Sequence, residues 1–347
     1  MTERDALLRA VCENPDDDTP RLVFADWLQE NGEEPRAEFI RVQIELARGA
    51  NDPRLKQREQ ELLAAWRDVW AGPFRQFEVA DSSRRFVFGV HFRRGFPWAI
   101  SINDEDQRFV DNAAALFRLG PIERVNLFHK SQHGDLSRCA ELLRVKELLI
   151  DRAGFETEEI AALLRSKYLT SITRLDLIAD DDNGHLDCEG LEQLGQATTL
   201  PALRHLDLSY NFCGWMFSED RDWVKSLTKE NLIGQLETLR LRSTDVNDES
   251  AQVLARCTRA RSLRHLDLSG NSIGEDGLRA LATSRALSAL TTLDHRGNLY
   301  DTEDGVAVRG GCTPEIRQLL EARFGSGVLL DGQAEPHPLD ELFKQFA

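Results

Sequence analysis

Residues Leu203 to Asn211 read LRHLDLSYN, and Leu263 to Asn271 read LRHLDLSGN. Two nonapeptides that differ at one position within one chain point to a repeat, and a repeat decides the fold before any single element is assigned. The frame LxxLxLxxN recurs as LETLRLRST from Leu236 and LTTLDHRGN from Leu290. It extends backwards through ITRLDLIAD from Ile172, VKELLIDRA from Val145 and IERVNLFHK from Ile122. VFGVHFRRG from Val87 is taken as an eighth and first member. Successive frames start 23 to 35 residues apart, and 27 is the commonest step.

The frame has a physical reading. Alternate residues of a short strand point to opposite faces, so positions one, four and six fill a core while positions three, five and seven face out. A polar Asn at position nine can satisfy backbone groups where the chain turns. Between frames, EDGLRALATSRAL (Glu275 to Leu287) and DESAQVLARC (Asp248 to Cys257) carry apolar residues at helical spacing. Strand plus full helix resembles the ribonuclease-inhibitor class of leucine-rich repeat. The resemblance implies an α/β solenoid, a horseshoe with parallel strands on its concave face and helices on its convex face.

A solenoid exposes core at both ends unless it is capped. Residues 1–80 read as a helical module of four helices, around Arg4 to Cys12, Pro20 to Glu30, Pro35 to Arg48 and Pro53 to Trp70. Thr19 before Pro20 reads as an N-cap. Val23, Phe24, Trp27 and Leu28 share one face, as do Phe39, Val42 and Leu46, while Leu55, Leu62, Trp66 and Val69 form another stripe. The solenoid is expected over 81–330 and a tail with a short amphipathic helix over 331–347. Within the module, LVFADWLQENGEEPRAEFIRVQ (Leu22 to Gln43) resembles the repeat-companion domain of certain bacterial leucine-rich repeat proteins, and IRQLLEARFGSGVLL (Ile316 to Leu330) resembles the segment that closes them. The resemblance implies no activity.

Composition limits the function classes. A chain of 347 residues, 41% hydrophobic, buries a sizeable core. Its net charge of -16 repels a phosphate backbone, so nucleic acid is not expected as a partner and a protein with a basic surface is. The start MTERDALLRAVCENPDDD has neither a basic region nor an apolar run, and no window suits a membrane span, which predicts a cytoplasmic protein. Six scattered cysteines without close pairing read as reduced, mostly buried thiols.

The outward columns are the candidate binding surface. Position three runs Gly89, Arg124, Glu147, Arg174, His205, Thr238, His265, Thr292. Position five runs His91, Asn126, Leu149, Asp176, Asp207, Arg240, Asp267, Asp294, and position seven Arg93, Phe128, Asp151, Ile178, Ser209, Arg242, Ser269, Arg296. Phe128, Leu149 and Ile178 would be apolar groups on a wet face, a mixture suited to protein binding. Asp207, Asp267 and their serines read as scaffold. Arg240 and Arg242 either touch a partner or pair with Asp207 and Asp267. Partner contact is assigned to Arg124, Phe128, Leu149, Arg174, Ile178, His205, Arg240, Arg242, His265 and Arg296.

Trp215 and Phe217, in the insertion NFCGWMFSED (Asn211 to Asp220), join them as aromatic anchors, with a loop-packing cluster as the alternative. ADDDNGHLDCE (Ala179 to Glu189) fails the EF-hand pattern, with Gly184 and His185 in the wrong places. NPDDD (Asn14 to Asp18) reads as a helix-capping turn. Leu339, Leu342, Phe343 and Phe346 form an apolar stripe in the tail, which either docks on its own solenoid or binds another protein. No HExxH, phosphate loop or GxSxG elbow is present, so no catalytic residue, cofactor or metal is assigned. His295 falls at an inward position and reads as a core histidine. Asp26, Glu30, Glu34 and Glu38 are the dense carboxylates on which an enzyme reading would rest.

Overall fold

The computed structural model describes residues 2–77, 87–103, 108–128, 135–151, 157–179, 186, 188–211, 223–229, 231–301, 307–309 and 312–329. Its main element is one ten-stranded sheet: β1 Val87–Arg93, β2 Phe96–Asn103, β3 Arg124–Phe128, β4 Glu147–Asp151, β5 Arg174–Ile178, β6 His205–Asp207, β7 Thr238–Arg240, β8 His265–Asp267, β9 Thr292–Asp294 and β12 Val328–Leu329. A separate antiparallel pair, β10 Leu299–Asp301 and β11 Ala307–Arg309, lies between β9 and β12 in the chain. From β2 onward every neighbouring pair in the sheet is parallel, and strand order follows chain order. This is the leucine-rich-repeat solenoid.

Each of the seven frames from Ile122 onward begins its strand at position three. The position-two carbonyl of one coil accepts the N–H groups of positions two and three of the next, as when Thr173 O takes Arg204 N at 2.8 Å and His205 N at 3.0 Å. The leucines at positions one, four and six are buried; Leu203, Leu206 and Leu208 are each exposed by 1% or less. Position eight is left-handed in the later coils: Tyr210 (φ 63°), Ser243 (φ 49°), Gly270 (φ 69°) and Gly297 (φ 71°). Glycine suits that position because it has no Cβ to strain.

The ninth position joins the coils. Asn271 Nδ2 donates to Leu241 O (2.6 Å) of the preceding coil and to Leu268 O (3.0 Å) of its own, while Oδ1 accepts from Thr244 N (2.9 Å) and Val246 N (3.1 Å). Asn211 and Asn298 repeat the pattern. Thr244, at position nine of the Leu236 frame, reaches Leu241 O alone (2.8 Å). The expected backbone-satisfying role of this asparagine is what the structure has.

Helices lie on the opposite side of the core: α5 Phe109–Leu116, α6 Thr157–Leu164, α7 Cys188–Gly195, α8 Trp223–Lys229, α9 Leu232–Gln235, α10 Asp248–Arg256, α11 Glu275–Thr283 and α12 Pro314–Phe324. Between β3 and β4 two short 3-10 turns, Leu136–Arg138 and Ala140–Arg144, take the place of a helix. At the C-terminal end Ile316, Leu320 and Phe324 of α12 are buried in the solenoid core, and β12 adds beside β9.

The N-terminal module holds α1 Glu3–Glu13, α2 Thr19–Glu30, α3 Glu34–Ala47 and α4 Pro53–Trp70, within a residue or so of the expected spans. Its core is Val11, Phe24, Ala25, Leu28, Ala37, Ile40 and Ile44. Three details differ from expectation. The N-cap of α2 is Asp18, and Thr19 N bonds Asp17 Oδ1 at 2.8 Å, so the carboxylate of the NPDDD turn supplies the acceptor. Val23 is turned to solvent, Ala25 taking its place in the core. Leu62 alone of its stripe is fully buried, while Trp66 and Val69 are exposed.

The first strand of the solenoid is also not the expected one. Val87–Arg93 pairs antiparallel with β2 as a hairpin, and it is β2 that lies parallel to β3, with Ala99 opposite Arg124. The first frame is therefore PWAISIN from Pro97, in which Ile100 and Ile102 replace the leucines. Gly89, His91 and Arg93 leave the column. The hairpin turn has positive φ at Arg94 (50°) and Gly95 (83°), the type I′ geometry that matches strand twist. Its tip enters the helical module: Phe96 belongs to the module core, and Gly95 N donates to Gln43 Oε1 at 2.7 Å.

Two stability changes follow from these contacts. A Cβ on Gly95 would lie 2.3 Å from Ile40 Cγ1 and 2.6 Å from Ile40 Cα, in a conformation L-residues avoid. Gly95→Ala is expected to cost roughly 2–4 kcal/mol in urea denaturation. Asn271→Ala strands the buried N–H groups of Thr244 and Val246 and should cost about 2–3 kcal/mol by the same measurement. A loss under about 0.5 kcal/mol in either variant would contradict the contact assigned to it.

Candidate functional site

On the concave face, exposure falls from position three to position seven. Arg124, Arg174, His205 and His265 stand at position three and remain accessible, His265 most openly. Position five is largely buried: Asn126, Leu149, Asp176 and Asp207 are each under 9% exposed. Asp267 and Asp294 are half-buried, and Arg240 is the most open, with 43% of its side chain exposed. At position seven Phe128, Asp151, Ile178, Ser209, Arg242 and Ser269 are all buried, leaving Arg296 half-buried. The expectation that Phe128, Leu149 and Ile178 stand on a wet surface is thus corrected, and Arg242 is withdrawn from solvent with them.

Local hydrogen bonding accounts for the buried carboxylates. Asp207 Oδ1 accepts from Ser209 N (3.0 Å) and Ser209 Oγ (2.5 Å); Asp267 repeats this with Ser269 at 2.9 and 2.6 Å. Asp294 accepts from Arg296 N, Nε and Nη2. LDLS is scaffold wording in this chain, because the acid at position five closes the turn that ends its own strand. Asp176 and Asp207 are neighbours across β5 and β6. Burial first, then the Asp176 charge, pushes the Asp207 carboxyl above its ordinary range, and burial likewise raises Asp267.

The arginines answer these acids. Arg174 Nη2 lies 2.7 Å from Asp176 Oδ2, Arg240 Nη1 lies 3.5 Å from Asp207 Oδ2, and Arg124 Nη1 lies 3.4 Å from Glu147 Oε2. Of the two readings for Arg240, internal pairing is what the geometry contains. The guanidinium of Arg242 lies 5.9 Å from the Tyr210 ring centre. Because Asp176 and Asp207 are sunk and Arg174 and Arg240 stand above them, an approaching molecule meets guanidinium and imidazole there, with the half-buried Glu147 carboxylate beside Arg124. His205 bonds Thr238 Oγ1 (3.0 Å) and His265 bonds Thr292 Oγ1 (2.7 Å). Burial, then Arg174, holds His205 below its ordinary pKa.

Other expectations fall elsewhere. Trp215 and Phe217, the 180–185 insertion, His129, His133 and the tail from 331 lie outside the described residues. Asp26 pairs with Arg41 (2.7 Å) and Glu38 with Arg58 (2.7 Å), so these carboxylates sit in surface ion pairs. Among the described residues no group of His, Cys, Asp and Glu could hold a metal ion, and no helix is long and apolar enough to cross a membrane. Cys12, Cys139 and Cys257 are free. Burial pushes the Cys139 thiol up to about 12 and raises Cys12, so neither is an activated nucleophile.

The junction between module and solenoid carries no motif of its own. A cleft of about 890 Å³ lies there, lined by Leu8, Cys12, Phe117, Ile122, Leu143 and Arg144 among others. Lys146 ties its two sides, 3.3 Å from Asp16 and 2.6 Å from Glu123. Arg144 Nη1 bonds Phe117 O at 3.1 Å. No local pattern announces these contacts, since each joins residues far apart in sequence.

The Leucine Rich repeat family model matches residues 259–282, the stretch holding the Leu263 frame and all but the last residue of α11. No curated protein matches the chain in sequence. Among solved structures, a Bacteroides fragilis protein aligns at 15% identity and TM-score 0.38, covering 60% of this chain and 66% of its own. A Listeria monocytogenes internalin aligns at 18% and 0.33, covering 57% and 47%. The mouse RP105/MD-1 complex aligns at 20% and 0.32, covering 61% and 34%. The chain thus spans less than two thirds of the length of each. Frame, parallel sheet and local match together define a leucine-rich-repeat protein with an N-terminal helical module.

His295 sits at inward position six, 1% exposed, with Nε2 3.2 Å from Ile273 O. Burial holds its pKa down at about 4 against an ordinary 6.5. The fold accommodates the neutral ring, so this site's contribution to stability is complete above about pH 6.5 and is lost as pH falls towards 4. Between pH 7 and pH 5 the loss is on the order of 2 kcal/mol. His295→Leu, which restores the frame's usual residue, should shrink the stability difference between pH 7 and pH 5 by that amount in urea titrations. An unchanged difference would exclude His295 as its source.

Proposed function

We propose that this chain is a non-catalytic cytoplasmic binding protein that holds a protein partner on the concave face of its solenoid. The observation that carries the reading is the graded exposure of that face. Arg124, Arg174, His205, Arg240 and His265 remain accessible above a floor of buried, hydrogen-bonded residues. Such a surface is preorganised: its side chains are held by partners on the sheet, which lowers the ordering cost of association. Solenoids of this class build extended concave binding surfaces in the same way.

The charge of the exposed strip refines the partner. The chain as a whole is acidic, which by itself favours a basic partner. On the strip Asp176 and Asp207 are sunk, and Glu147 is the open carboxylate among Arg124, Arg174, His205, Arg240 and His265, so an acidic patch on the partner is the better complement. Phe128, Leu149, Ile178 and Arg242 then act by shaping the floor. The module on the first strand, which resembles the repeat-companion domain, serves as its N-terminal cap.

The test is an affinity capture from native lysate with wild type and an Arg174→Glu, Arg240→Glu, His265→Glu variant, both first shown to be folded. A protein retained by wild type and weakened at least about tenfold by the variant supports the reading. Equal retention by both removes the binding site from this strip.

A further inference from the structure

Arg36, on α3, is a half-buried cation set among rings. Its guanidinium carbon lies 4.7 Å from the Trp70 ring centre, 5.1 Å from Phe92, and 5.7 Å from both Phe39 and Phe96. Nη1 is buried without a hydrogen-bond partner, and the side chain makes no ion pair among the described residues. Aromatic faces attract a cation, but they supply no acceptor to its N–H edges, and a buried charge without acceptors is costly. Arg4 and Glu33 nearby form a pair with each other, so their charges largely cancel at Arg36. Burial lowers the Arg36 pKa to about 9, and the group stays charged at neutral pH.

A second observation lies beside the first. Arg36 lines a cavity of about 300 Å³ whose walls include Phe24, Leu28, Phe96 and Leu119. At the same cavity Trp66 and Val69 of α4 are exposed by 39% and 61%. Large apolar side chains left in water beside an apolar cavity mark a surface that gains by being covered. The volume is at the lower end for ligand pockets, roughly 300–1,000 Å³, and suits one ring with a short acidic chain.

We propose that this cavity binds a carboxylate carried on an apolar body, the carboxylate accepting from the Arg36 guanidinium and the body packing against the rings and Trp66. Guanidinium and carboxylate are matched in geometry and charge, and an apolar surround strengthens their hydrogen bonds. The same chemistry has two sources: a small free aryl or alkyl acid, or the C-terminal carboxylate of a peptide ending in an apolar residue. The site is separate from the concave strip and does not depend on it.

The test is calorimetric titration of the full chain with 3-phenylpropionate, its uncharged amide, and the peptide Ala-Ala-Ala-Ala-Phe with a free or an amidated C-terminus. At least one carboxylate should bind with a Kd of about 1 mM or tighter, with its amide at least about tenfold weaker. Binding of the free acid alone identifies a small-molecule site, and tighter binding of the free peptide identifies a peptide terminus. Arg36→Gln should abolish binding, and Trp66→Ala, at an exposed position where folding is not at stake, should weaken it about three- to tenfold. Should Arg36→Gln fail to fold, the acid–amide pairs and Trp66→Ala decide alone. Equal binding of acid and amide, or no binding of either carboxylate up to about 10 mM, overturns the proposal. The concave-strip variant should bind these probes as wild type does, which separates the two readings.

Discussion

The solenoid depends on a buried side-chain amide at the coil boundary. A coil's strand can satisfy its backbone sideways, through the neighbouring strands, but the turn that leaves the strand has donors and acceptors pointing inward where no water reaches. Asn211, Asn271 and Asn298 meet both needs, since one amide carries donors and an acceptor. Each bonds its own coil and the one before it. The residue that ends one repeat therefore also ties it to the repeat before. Position eight follows from this: to bring the asparagine inward the preceding residue must turn left-handed, which Gly270 and Gly297 do freely and Tyr210 and Ser243 do against their side chains.

The concave face inherits its character from the same turn. Closing the strand with an Asp that accepts from the residue two places on pulls carboxylates down to the sheet. Sinking several acids side by side is unfavourable unless cations stand over them. Arg174 and Arg240 do so while keeping part of each guanidinium in water. A partly exposed guanidinium paired on one edge still has donors on another. The structural need to neutralise the ladder thereby creates an ordered row of groups able to bind.

Much of the fold was legible because its signals are periodic. The leucine frame located seven strands to the residue, and Pro and apolar spacing located four helices. What failed was where a signal lost its wording or depended on distance. PWAISIN from Pro97 escapes the leucine frame because its core residues are isoleucines, and VFGVHFRRG, which mimics the frame, is the outer arm of a hairpin. From Arg124, Asn126 and Phe128 onward the columns follow the strands, but alternation says which way a side chain points and not whether something covers it. Phe128 and Ile178 point as expected and are nevertheless buried. The Arg36 enclosure draws rings from α3, α4, β1 and β2, and no pattern in one segment could have assembled it.

That enclosure also bears on what the N-terminal module is. A simple cap would lay one apolar face on the end of the solenoid. Here the hairpin tip enters the module instead: Phe96 is counted in the helical core, Gly95 sits against Ile40, and Gln43 bonds both Gly95 N and Phe92 O. The strand that leaves this tip is β2, the first strand of the parallel sheet, and Asn126 of β3 bonds Ser101 of β2. Phe92 and Phe96 thus belong at once to the box around Arg36 and to the hairpin from which the concave face begins. Module and solenoid share side chains, so the packing of the module bears directly on the first strand of the parallel sheet.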